Sequence, residues 1–193
     1  MRLSPIAPNE LSAQQISLYE DMKSGATAKY NVFQTMRHDG AMLGPWNAWL
    51  HDPEIGSSMW ALSKTMTKAS RLPDNVRQIA ILVVGIRFRA GYEIYAHEAV
   101  AVARHGMSAE RLSALKSAVR PSDFSPEEAV GYEVAHALAR GGVLPEVTYR
   151  SALTTFGQAA LNELIYLIGY YCMLSVTLNG FDVPVPATDT SAS

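Results

Sequence analysis

Glu93 and His97 stand four residues apart in the stretch GYEIYAHEAVAVARHG. On a helix that spacing puts both side chains on one face, where they can meet. A carboxylate beside an imidazole fixes its tautomer and supports its cation, and imidazole titrates near neutrality, so the two have the makings of a general acid–base pair. An ordinary solvated helix contact has the same spacing. The apolar residues around the pair favour chemistry, because a partly buried histidine and carboxylate need a reason to be there. Upstream, Gln78, Leu82, Gly85 and Arg89 recur on a similar helical face. They offer Gln78 as an orienting amide and Arg89 as a bidentate anchor for a substrate carboxylate. A surface arginine, or an ion pair with Glu93, is the competing reading of Arg89.

Tyr92 and Tyr95 flank Glu93, and a phenol there has the chemistry to donate to a developing oxyanion; a buried tyrosine satisfied by backbone is the alternative. His38, in the polar stretch TMRHDG, is a candidate to project from a loop into a pocket. Trp46, with Trp49, Met59, Trp60 and Met66, suits either a flat ligand or plain core packing. A metal would need His38 or His136 to join Glu93 and His97. Two ligands of the three or four required, with no diagnostic spacing, lead us to expect neither metal nor cofactor.

The elements that would position these residues are helices. Asn9 or Ser12 can cap a first helix that turns Leu11, Ile16 and Tyr19 inward and ends near Gly25. Residues 41–51 and 53–70 suit two more, the second with Pro53 in its first turn. From Asn75 the positions Ile79, Leu82, Val83 and Ile86 keep helical spacing, although the β-branched run IAILVVGI also suits a buried strand. Gly91 interrupts before a helix over 92–105; Gly106 is a stop and Ser108 the next cap. Ser125, Pro126, Glu127 and Glu128 form a strong helix start. Pro145 opens a short helix, and a long apolar one covers about 158–178.

With 193 residues and no convincing internal repeat, the chain is expected to form one helical domain with one core, residues 185–193 being an irregular tail. Hydrophobic residues at 48% and charged residues at 18% are globular proportions. A net charge of -2 with both signs interspersed leaves no basic stripe for nucleic acid. Cys172, the single cysteine, excludes an intrachain disulfide and a CxxC redox pair, in line with a cytoplasmic location. The most apolar stretch, 161–178, is broken by Asn162 and Glu163 and reads as a buried helix rather than a membrane span, which needs roughly 18 or more apolar residues.

Residues 74–115 carry a helix after a Leu-Pro break, then Tyr-Glu-x-x-x-His, then Ala-x-x-Gly-Met-Ser. This segment resembles the signature of the carboxymuconolactone decarboxylase-like and alkylhydroperoxidase D-like family, and the likeness extends over about 43–184. It implies an all-α, compact multi-helix bundle, commonly assembled as trimers or hexamers, with a small-molecule substrate. The chain departs from the family pattern at the centre. Ala90 and Glu93 occupy the positions of the two redox cysteines, and Gln78 replaces an upstream glutamate. Thiol peroxidase chemistry is therefore not expected, and an amide cannot accept a proton at neutral pH. What remains is the expectation of an acid–base enzyme of decarboxylase, lyase or isomerase type, acting on a small carboxylated or lactone-like metabolite, with an aromatic-derived compound among the candidates. The alternative is a non-catalytic oligomeric protein that binds a small ligand in the same pocket.

Overall fold

Proline, glycine and capping serines divide the chain much as the sequence indicates. The computed structural model describes residues 1–29, 31–68 and 70–187, the side chains of 27–29 excepted. Among these the order is a 3-10 turn Pro8–Glu10, then α1 Ala13–Lys29, α2 Gly44–His51, α3 Pro53–Lys68, α4 Asp74–Phe88, α5 Gly91–His105, α6 Ala109–Lys116, α7 Pro126–Ala139 and α8 Glu146–Gly180. The only β-pairing among the described residues is an isolated bridge between Met36 and Met42. The β-branched run of α4 is thus helical. Its residues are buried almost all round, as expected of a helix packed on several sides.

The caps act as their chemistry predicts. Ser125 accepts from the Glu128 amide and Glu128 returns the bond to the Ser125 amide, closing a capping box. Ser108 accepts from Arg111 N–H at the start of α6. Gly106 ends α5 in the left-handed region at φ 63°, where glycine has no steric penalty. Helix α8 is continuous except at Gly157, whose φ of 72° and ψ of 167° break it into the short and long helices that Pro145 and the apolar run from 158 suggest. An apolar window of α8 is long and hydrophobic enough to span a membrane, but half of that window is buried inside the protein.

Three expectations are corrected. Ile16 is exposed, and α1 buries Leu18, Tyr19, Met22 and Ala26 instead. Gly25 does not end α1 but lies within it, under the Trp60 ring, where a Cβ would come within 2.6 Å of the indole. Finally, the interior is not one cluster but two. One gathers α4, α7 and the first part of the long α8 segment around Ile79, Leu82, Leu161 and Leu164. The other gathers α1, α2, α3 and α5 around Met22, Trp49, Leu50 and Tyr92. Helix α8 belongs to both, through Leu167 and Ile168 on one side and Leu174 and Leu178 on the other, and Tyr171 touches both clusters. The expected tail from about residue 185 lies, beyond residue 187, outside the described residues.

Candidate active site

Glu93 and His97 bring polar side chains into the interior beside Tyr171, which packs against both clusters. Helix α4 ends at Arg89, which adopts the left-handed conformation (φ 54°) while Ala90 N–H bonds back to the Gly85 carbonyl at 2.9 Å. This tight reversal starts α5 two residues later and puts Glu93 in its first turn, directly against α4. Gly85 makes the approach close: a Cβ there would lie 3.3 Å from Cγ of Glu93. Glu93 is consequently buried, at 4% exposure.

His97 follows one turn later on the same face. Its Nδ1 is 2.8 Å from Oε1 of Gln78 on α4, and its Nε2 is 3.2 Å from Oε1 of Glu93. An amide oxygen only accepts, so Nδ1 carries the hydrogen and the lone pair of the neutral ring is on Nε2, facing Glu93. The Glu93 Oε1 is buried and accepts no hydrogen bond among the described residues. Burial pushes the Glu93 carboxyl from 4.5 up to about 8. That rise corresponds to roughly 5 kcal/mol against the anion. The favourable field of the α5 N-terminus, about 0.3–1 kcal/mol, is too small to reverse it. At neutral pH Glu93 is therefore held as the carboxylic acid beside Nε2 of His97.

His97 lies between two spaces. Outside it is a cleft of about 220 Å³, reached past Ser63 and Thr67 of α3, Gln78 of α4 and Arg104 of α5. Inside it is a small cavity of about 40 Å³, walled by Trp46, Trp49, Tyr92 and Glu93 and large enough for a water. Ser63, His97, Tyr170 and Tyr171 border both. The Tyr171 ring meets the imidazole edge-on, with centroids 5.2 Å apart at 89°, which fixes the ring plane.

Of the residues singled out in the sequence, Glu93, His97 and Gln78 are brought together. Trp46 contributes to the inner wall, stacked on Phe33 at 6.4 Å. Tyr92 also borders the inner cavity, but its hydroxyl donates to the Gln34 carbonyl at 2.8 Å, while the Tyr95 hydroxyl accepts from Gln34 N–H at 3.0 Å. The two phenols clamp the backbone of one residue, Gln34, in the segment before α2, which uses the Tyr92 proton that an oxyanion would need. Burial, then the neighbouring Tyr95 and Glu93, raise the Tyr92 phenol well above its ordinary range. Arg89 is exposed at the α4–α5 turn and borders neither space, and His38 is exposed in the turn after Met36. His136 lies on α7 beside Tyr132, away from Glu93. Among the described residues no three histidine, cysteine or acidic side chains converge on a metal-sized point.

Arg104 was missed, although it stands seven residues after His97 and so shares its face. It is exposed at the cleft, donates to Asn31 Oδ1 at 3.1 Å, and is accompanied at the same opening by Asp74. Arg77 also borders the cleft, but its charge is answered by a buried ion pair with Glu163. No local pattern announces Tyr170 and Tyr171, which come from α8 by tertiary packing.

The arrangement has an all-α, alkylhydroperoxidase D-like fold. Among solved structures, the chain is similar to the debrominase Bmp8, in a Cys-to-Ala form bound to 2,3,4-tribromopyrrole, with a TM-score of 0.73 over 97% of this chain and 92% of that one. Sequence identity is 12%, so the likeness establishes the fold alone. No family model matches the sequence, and no curated protein matches it.

Proposed function

We propose that the chain is an acid–base enzyme that works through its own side chains on a small carboxylated or lactone-like metabolite, by a decarboxylase, lyase or isomerase step. The observation that supports this most is the buried Glu93 carboxyl set against Nε2 of a histidine whose other nitrogen Gln78 holds, at the base of a cleft. Such a pair offers an acid and a base within about 3 Å of each other. For a carboxylate vinylogous to a carbonyl, the carbon–carbon bond breaks, carbon dioxide leaves, and the electron pair passes into an enolate. The proton that Glu93 passes to Nε2 of His97, the member of the pair that borders the cleft, then goes to carbon, and solvent returns a proton to Glu93, so that one proton is consumed per turnover. Arg104 takes the role first assigned to Arg89, holding the substrate anion at the entrance, with Asp74 opposing a second negative charge there.

The test is turnover of a panel of carboxylated lactones and β-keto acids by wild type and His97→Ala. We expect turnover by the wild type and a loss of about 10²–10⁴-fold in the variant, with the helical circular dichroism unchanged. Full activity in His97→Ala overturns the assignment. The panel should include 2,3,4-tribromopyrrole, the ligand of the similar structure; no cysteine borders this cleft. A second reading, a binding protein without turnover, is favoured by one feature: Gln78 provides an amide where a relay would use a carboxylate. Saturable binding of panel members without product formation would select it.

A further inference from the structure

Helix α4 borders two separate spaces. Gln78 and Ile81 look toward the His97 cleft, whereas Val83, Ile86 and Arg87 border a separate cavity of about 280 Å³ that shares no lining residue with that cleft. Its floor is apolar and well packed: Val83, Leu115 and Ala139 are each at most 8% exposed. One wall is a ring pair, His136 lying flat on Tyr132 with centroids 5.5 Å apart at 11°. The pair is fixed from behind. Ala118 turns left-handed (φ 55°) at the end of α6, and its carbonyl accepts from the Tyr132 hydroxyl at 3.3 Å. A non-glycine residue in that conformation costs roughly 1–2 kcal/mol, so the geometry is held by its surroundings.

The rim is cationic. Only Arg87, Arg89 and Arg140, of all the arginines, make neither an ion pair nor a side-chain hydrogen bond among the described residues, and two of these three border this one cavity. No aspartate or glutamate lines it. Two unanswered guanidinium groups above an apolar floor match one kind of ligand: a carboxylate on a compact apolar body. The guanidinium forks take the carboxylate oxygens, while the body covers the floor and the face of the ring pair. The volume falls just below the range of roughly 300–1,000 Å³ typical of drug-sized ligands, which restricts the body to about one ring. We propose that this cavity is a second binding site, independent of His97, for a small aromatic or alicyclic monocarboxylate.

Benzoate is a suitable probe, followed by amide chemical shifts of the full chain. We expect saturable shifts at Ile86, Arg87, Tyr132 and Arg140. We also expect binding about tenfold or more weaker for benzamide, which lacks the charge, and for inorganic phosphate, which lacks the body. Arg87→Gln combined with Arg140→Gln should weaken benzoate by a similar factor, whereas Arg104→Gln in the other cleft should leave these shifts unchanged. Both arginines are exposed, so the double variant should fold; Ala139→Leu, which fills the floor, gives a second way to block the site. The proposal is overturned by benzoate shifts confined to the His97 cleft, by benzamide or phosphate binding equally well, or by a double variant that binds like wild type.

Discussion

A carboxylic acid that keeps its proton to about pH 8 is useful only where something can take that proton, and Nε2 of His97 is within 3.2 Å of it. Below that pH Glu93 is the acid of the pair; above it the proton is gone and the buried anion remains. Turnover that uses Glu93 as an acid should therefore fall as pH rises through about 8. In Glu93→Gln the alkaline fall should disappear and the plateau drop by about 10²–10⁴-fold; a variant that keeps the same alkaline limb assigns it to another group. Arg89 calls for a different experiment. Its left-handed backbone makes glycine the better residue there, and its side chain borders no cleft. Arg89→Gly should leave turnover intact and raise unfolding stability by up to about 1 kcal/mol. A tenfold rise in KM for an anionic substrate would restore Arg89 as its anchor.

At the scale of elements, helix starts and stops were legible because their chemistry is local. Ser125, Ser108, Gly106 and Pro53 do in the structure what their side chains predict. Glu93 and His97 were legible for a related reason, since helical spacing nearly decides which side chains of one helix share a face, whereas the Gln78–His97 contact crosses from α4 to α5. Close approaches between elements were not legible. Gly25 reads as a helix stop yet is a seat for Trp60, because no sequence pattern states which ring will cross it. Gly56 is a stronger instance. It lies in the first turns of α3, where a Cβ would sit 2.2 Å from the Trp49 carbonyl oxygen of α2. Backbone cannot rotate away as a side chain does, so Gly56→Ala must separate the two helices. We expect a loss of about 1–3 kcal/mol in denaturant unfolding, together with a disturbed inner cavity, since Trp49 is part of its wall. An unchanged denaturation midpoint would show that α2 and α3 tolerate separation.

On the scale of the whole molecule, two hydrophobic clusters meet along α8, and Glu93 and His97 lie beside Tyr171, which packs against both. There the carboxyl is both deeply buried and one side chain away from a cleft. The same burial ties global stability to pH. Folding raises the Glu93 pKa above its unfolded value, so the folded state binds a proton that the unfolded chain has already released between about pH 4.5 and about pH 8. With the unfolded state binding fewer protons, stability must fall as pH rises across that window. The contribution is fully present below pH 4.5 and lost above about 8. The slope from this one group is at most about 1.4 kcal/mol per pH unit. Glutamine has no proton to lose, so the difference in unfolding free energy between wild type and Glu93→Gln, measured in urea from pH 5 to 9, should shift steadily against wild type up to about pH 8 and then level. Parallel profiles would mean that Glu93 ionises inside the folded protein as readily as in water, and the acid assigned to this site would be lost with them.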